Sequence, residues 1–211
     1  PSYYTIDDKP VFMIYDLNKL VSGLGSIDAT ADAFVWFRAQ ATKAGLKGLH
    51  LQLTSWGAET LNLSGVDAEA AAVPNETVQR IGFDSQTHYQ MVHYTDIDRD
   101  YAEIIPDMVK EWALMDEGYD IPYFPHVSIG WDNNPRFKMV RPGVVKNNTP
   151  ENVQRALELA KRYADDHPDQ APLITINSWN EWTETSYLQP DDLHGYGYLE
   201  AVRNVFGKAT L

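Results

Sequence analysis

Glu181 and Glu184 stand three residues apart in Ser178-Trp179-Asn180-Glu181-Trp182-Thr183-Glu184, directly after the apolar run Leu173-Ile174-Thr175-Ile176-Asn177. Two carboxyls at short separation can divide labour, one held protonated as an acid and the other ionised as a base or nucleophile. Cleavage of a glycosidic bond requires that division, and the carboxyl separation sets its stereochemistry. Trp179 and Trp182 add flat apolar faces suited to sugar rings. The same spacing also fits a capped, solvated turn with two surface acids, and spacing alone leaves both readings open.

A second cluster, Trp131-Asp132-Asn133-Asn134-Pro135-Arg136, combines an aromatic ring, an acid, amides and a guanidinium, a set able to hold several hydroxyls. A structured loop in which Arg136 pairs with Asp132 accounts for the same residues. His126, on the preceding strand, faces either the same cavity or a satisfied core position; His50 and His88 have weaker context still. No His-Glu-x-x-His and no calcium loop occurs, and the six histidines are scattered, so no metal site is expected. Asp96, Asp98 and Asp100 alternate in a segment that reads as a helix entry with acids at the positive end.

Placing these residues requires a frame, and the chain alternates strand-like with helix-like stretches. Val11 to Tyr15 reads as a buried strand. A helix over residues 31–44 follows, capped by Asp28 or Thr30, with Phe34, Phe37 and Ala41 at helical spacing and Gly45 to stop it. In the second strand, residues 48–54, Leu49, Leu51 and Leu53 oppose His50, Gln52 and Thr54. An excursion with a short helix spans residues 55–80. Further strands are expected at 82–89, 123–130 and 173–177, and helices at about 99–116, 150–165 and 195–206. Thr149-Pro150-Glu151 supplies a cap, a proline at the first helical position and an acid in the first turn. This alternation implies a parallel sheet, open or closed into a barrel. Both polar clusters then fall at carboxyl ends of strands, where parallel α/β folds bind ligands.

Composition removes other classes. The chain has 211 residues with 17 Lys and Arg against 30 Asp and Glu, a net charge of −13 that argues against nucleic acid or an anionic membrane as partner. Cysteine is absent, which excludes disulfide scaffolds, thiol nucleophiles and Cys-ligated metals. Neither Gly-rich phosphate motif is present, so nucleotide binding by that route is unsupported and no cofactor is expected. No apolar run approaches ~18 residues, so no membrane span is expected. The chain opens Pro1-Ser2-Tyr3, without a leader, as a processed or partial chain would.

Ile176-Asn177-Ser178-Trp179-Asn180-Glu181-Trp182-Thr183-Glu184, with Tyr187-Leu188-Gln189-Pro190-Asp191 and Gly195-Tyr196-Gly197-Tyr198, resembles the C-terminal signature of the glycoside hydrolase family 99-like group, which includes the WbsX-type proteins named as glycosyltransferases. Gly130 to Arg136, Asn148 to Asn152 and Lys9 to Tyr15 resemble earlier motifs of that group, so the likeness runs over nearly the whole chain. The resemblance implies a (β/α)8 barrel acting on glycosides. In true family 99 endo-α-mannosidases the first Glu deprotonates the sugar 2-hydroxyl, giving a 1,2-anhydro intermediate, and the second is the general acid and later base. By position these are Glu181 and Glu184. Asn180 would bind sugar hydroxyls or orient the carboxylate, and Tyr187 joins Trp131, Asp132, Asn133, Arg136, His126, Trp179 and Trp182 as substrate-binding candidates.

Thr183 stands where the endo-mannosidases carry His, and Thr185 where the group usually has Gly. Family domains are considerably longer, and a complete barrel typically takes ~250 residues. The expectation is therefore one α/β domain, residues 1–211, forming the C-terminal part of a (β/α)8 barrel with about five parallel strands and lacking its N-terminal strands. Another copy or an N-terminal fragment would complete it. A retaining glycoside hydrolase acting on a carbohydrate is the expected function. The alternatives are a WbsX-type glycosyltransferase of surface polysaccharide synthesis and a non-catalytic carbohydrate-binding fragment. The compartment stays open, with periplasm or cell exterior favoured over cytoplasm.

Overall fold

The computed structural model describes residues 3–207, in two compact units: residues 3–89 with 113–124, and residues 90–112 with 125–207. The first unit opens on a hairpin of β1 (Thr5–Ile6) and β2 (Lys9–Ile14). Its two turn residues, Asp7 and Asp8, have φ of 51° and 62°. Two consecutive left-handed residues make the tight turn whose twist matches paired strands. Asp-Asp is a weak signal for that turn beside Asn-Gly, and the sequence reading missed it. Helices α1 (Leu17–Leu24) and α2 (Ile27–Lys43) follow. The α2 cap is Ser26, whose Oγ accepts from the Ala29 N–H at 3.1 Å, so the helix starts four residues before the expected position and Asp28 is its first-turn acid.

β3 (His50–Ser55) pairs in parallel with β2, and after the short helices α3 (Ala68–Ala72) and α4 (Pro74–Ile81) it pairs in parallel with β4 (Ser85–His88). The order is β1-β2-β3-β4, and a parallel rung from Gln86 to Tyr123 extends it. Leu51 and Leu53 are buried, as the alternation predicts, and Phe34 meets Phe83 edge-on at 5.0 Å. His50 bonds Ser85 Oγ at 2.7 Å and His88 bonds the Tyr123 hydroxyl at 2.7 Å, so both fill buried polar positions in this unit. The first predicted strand is less covered than expected. Phe12 and Met13 are 42% and 46% exposed, because β2 has only the two-residue β1 beside it on that side.

In the second unit, α5 (Tyr101–Gly118, its last turns counted with the first unit) buries Ile104, Met108 and Trp112. β5 (His126–Ser128) pairs in parallel with β6 (Thr175–Asn177). The predicted strand 123–130 is thus divided: Tyr123 pairs in the first unit and His126–Ser128 in the second. Between them Pro125 has no N–H to donate, though its carbonyl accepts from Thr175 N at 3.0 Å. Ile176, in the apolar run 173–177, is half-buried, and among the described residues β6 has a strand partner on one side only.

α6 (Pro150–Asp166) starts as the sequence dictates, with Thr149 Oγ1 accepting from Asn152 N and Pro150 at the first helical position. β7 (Asn180–Glu181) and β8 (Ser186–Tyr187) form an antiparallel hairpin that the sequence reading did not separate from the loop. α7 (Gly197–Phe206) packs on α6. A Cβ on Gly197 would come within 2.6 Å of the Pro150 ring, so this helix contact requires glycine there. Among the described residues no helix is long and apolar enough to cross a membrane.

Candidate active site

The two glutamates sit on the β7–β8 hairpin, all of it in the second unit. Glu181 closes the last rung opposite Ser186, and Glu184 ends the 3-10 turn Trp182–Glu184 that reverses the chain. Small polar side chains fix the hairpin base. Ser178 Oγ accepts from Glu181 N at 3.2 Å and donates to Ser186 O at 2.8 Å, while Ser186 Oγ donates to Asn177 O at 2.8 Å. Thr185, the residue after the turn, adopts φ 52°.

The Trp131–Arg136 segment meets this hairpin along its backbone. Asp132 N donates to Glu184 O at 2.7 Å, and Thr185 Oγ1 donates to Asp132 O at 3.3 Å. Asp132 does not pair with Arg136. Its Oδ1 accepts from Asn134 N at 2.9 Å and Asn134 Nδ2 at 2.7 Å, which shapes the 3-10 turn Asn134–Arg136, with Asn133 as its N-cap. The turn aims Arg136 at the glutamates: Nη1 donates to Glu184 Oε1 at 2.8 Å, Nη2 to Glu181 Oε1 at 2.9 Å and Nε to Thr183 Oγ1 at 2.9 Å.

The two carboxyls occupy different surroundings. Glu181 is partly exposed, whereas Glu184 is buried at 4% exposure and its Oε2 has no partner. Burial pushes the Glu184 carboxyl above the ordinary range, and Glu181 adds to the rise, while Arg136 opposes it. The net direction is upward, as a proton donor requires. A raised folded-state pKa contributes stability that is fully present below the unfolded value, roughly pH 4.3, and is lost as pH rises through the folded value. Glu184→Gln should therefore leave Tm unchanged below about pH 4 and favour the variant increasingly above it. Thermal unfolding of both proteins from acid to neutral pH measures this, and a constant difference would contradict it.

Of the aromatic candidates, Trp179, Trp182 and Tyr187 lie on or directly beside the hairpin and Trp131 on the segment after β5. Trp182 stacks on Tyr187, centroids 3.8 Å apart and 18° between planes, and its Nε1 donates to Gln189 Oε1 at 2.6 Å. Tyr187 donates to Asp191 at 2.9 Å, and burial pushes its hydroxyl up to about 12. Trp179 and Asn180 are exposed, and Trp131 is partly buried with its carbonyl accepting from Val145 N at 2.9 Å. His126 is the first residue of β5, buried, with Nδ1 on Thr175 Oγ1 at 2.9 Å and Nε2 on Ser128 Oγ at 3.2 Å. Among the described residues no group of three or more His, Asp or Glu is placed to hold a metal.

Sequence reasoning missed three supports. Gln90, fully buried, donates to Gly130 O and to Asn177 Oδ1, each at 3.2 Å, and no local spacing announces it. Asn148 donates to Ile129 O at 3.2 Å. Thr183 hydrogen-bonds Glu181 Oε1 at 2.9 Å, a contact implicit in its place between the acids. Thr185 carries a β-branched side chain in the left-handed region, where glycine is at ease. Thr185→Gly is expected to raise stability by about 0.5–1 kcal/mol after loss of the long bond to Asp132, read as a higher urea midpoint at unchanged slope. A lower midpoint would refute it.

The fold is an α/β fold of the kind found in family 99 glycoside hydrolases. Two structures of the GH99 endo-alpha-mannosidase from Bacteroides thetaiotaomicron, one with Bis-Tris-propane bound, superpose with TM-scores of 0.57 and 0.58 at 14% and 16% identity. They match 98% of this chain and 59% and 55% of their own lengths. The chain belongs to the family described as Glycosyltransferase WbsX, which it matches over residues 1–202. WxcX, a protein of unknown activity from two strains of Xanthomonas campestris pv. campestris, is 27% identical over 218 residues, covering 99% of this chain. The chain spans just over a quarter of WxcX, 28%.

Proposed function

We propose that the chain forms the C-terminal part of a (β/α)8 barrel, one family 99-like domain lacking its N-terminal strands, and that the completed protein hydrolyses glycosidic bonds in a glycan with retention. The observation that carries this reading is the asymmetric pair: a buried Glu184 with an unpartnered oxygen beside a partly exposed Glu181. Glu181 takes the proton of the sugar 2-hydroxyl. The 2-oxygen bonds to the anomeric carbon as the bond to the leaving oxygen breaks, and that oxygen receives the Glu184 proton. Water then gives a proton to Glu184 and opens the anhydro ring at the anomeric carbon, and the 2-oxygen recovers its proton from Glu181. Two inversions give net retention.

Trp179, Trp182 and Tyr187 serve as apolar platforms for sugar rings, with Trp131, Asp132, Asn133 and Asn180 around them. The exposed Phe12 and Met13 on β2 and the half-buried β6 support the incomplete barrel, because strands with open edges need a neighbour. An N-terminal fragment or a second copy supplies it. The family description favours one other reading, a glycosyltransferase. A screen of the complete protein against aryl glycosides and glycan arrays, with the product anomer followed by NMR, separates them. Hydrolysis with retained configuration is expected; transfer from a sugar nucleotide without hydrolysis, or an inverted product, would overturn the proposal.

A further inference from the structure

The guanidinium at the hairpin comes from 45 and 48 residues away in sequence and contacts both acids. All its contacts to them fall on one oxygen of each. Arg136 Nη1 reaches Glu184 Oε1 and Nη2 reaches Glu181 Oε1, while Nε donates to the Thr183 hydroxyl, which in turn donates a hydrogen bond to the same Glu181 Oε1. Glu184 Oε2 is left buried and unpartnered. The Arg136 turn is itself braced: Asn134 is bonded to Asp132 and grips Arg141 through its N–H at 2.6 Å and its carbonyl at 3.2 Å. An arginine fork is planar and rigid, so two carboxyls seated on it keep a fixed separation and tilt; a lysine, a point charge on a flexible stem, cannot impose that.

We propose that Arg136 is a positioning residue for the acid pair: braced by Thr183, it holds Glu181 and Glu184 by one oxygen each and so fixes their separation and tilt. The proposal rests on the catalytic reading of the pair given above and adds a division of labour. Arg136 acts through the glutamates and is not a ligand for sugar hydroxyls, which reverses the expectation drawn from its sequence cluster. The charged groups that act on Glu184 are Arg136, from the turn Asn134–Arg136, and Glu181, from β7.

The test has an arm that needs no substrate. In protein labelled at the glutamate carboxyls, Glu184 is assigned by its loss in Glu184→Gln and titrated by NMR. Arg136→Gln should move its titration up by about one unit or more, and Arg136→Lys by less, since the charge survives. Thr183→Val retains every charge and should leave it within a few tenths of a unit. In the second arm, on a glycoside that the protein turns over, Arg136→Lys should lower kcat at least about tenfold with KM nearly unchanged, as expected for an interaction felt in the transition state. An unchanged Glu184 titration in folded Arg136→Gln or Arg136→Lys, or a raised KM at parental kcat, would overturn the proposal. Absence of any turnover would count against the hydrolase reading alone and leave the carboxyl titration to judge the clamp.

Discussion

Glu184→Gln is expected to lower turnover by about 10²- to 10⁴-fold while sugar affinity persists, because a positioned general acid contributes on that scale. The substitution is isosteric, Arg136 keeps its bonds to Glu181 and Thr183, and the backbone bond from Asp132 N to Glu184 O does not involve the side chain. The hairpin should therefore stand. The loss in bond cleavage should shrink on glycosides whose leaving group needs no proton. Glu181→Gln, which removes the base, should impair good and poor leaving groups alike. Turnover and equilibrium binding measured on the same glycans check this. Parental kcat in Glu184→Gln on every glycan that binds would end the catalytic assignment.

Gly130→Ala carries the largest expected cost to the fold. A Cβ there would lie 2.7 Å from Thr185 O and closer still to Asn148 Nδ2. The amide of Asn148 could swing away, but it would abandon the Ile129 carbonyl. The Thr185 carbonyl belongs to a backbone that Asp132 and Ser178 hold in place, so it cannot retreat without moving Glu184. Overpacking of this kind costs about 1–3 kcal/mol, and a chain of this size loses roughly 2–4 °C of Tm per kcal/mol. Gly118→Ala is the control, since nothing lies within 4 Å of its added Cβ. Thermal unfolding of both variants decides the point, and equal midpoints would refute the close approach as a constraint.

Much of the α/β order is legible because it is local. Alternation at Leu49, Leu51 and Leu53, the Thr149-Pro150 helix start and the helical spacing of Phe34 and Ala41 each appear within a few residues of sequence. Burial is less legible, because it depends on neighbours. Phe12 and Met13 read as core, and their exposure follows from how few strands flank them. In the site, Glu181 and Glu184 share a hairpin, so their proximity was implicit in three residues of spacing. The partner of Arg136 was not. Sequence proximity pointed to Asp132, but Asn134 takes that carboxylate first and frees the guanidinium for acids 45 and 48 residues on. Gln90 and Asn148 meet their carbonyls through tertiary approach alone.

The hairpin that carries both acids pairs over two rungs only, Asn180 with Tyr187 and Glu181 with Ser186. A ribbon that short is not stable by itself in water. Its order is borrowed from the loop after β5, through Asp132, Arg136 and Thr185. The two segments are therefore expected to open and close together. On the proposed function, a sugar touching either acid is expected to tighten both, and amide exchange measured with and without glycan should slow as far away as Val145, which bonds the carbonyl of Trp131.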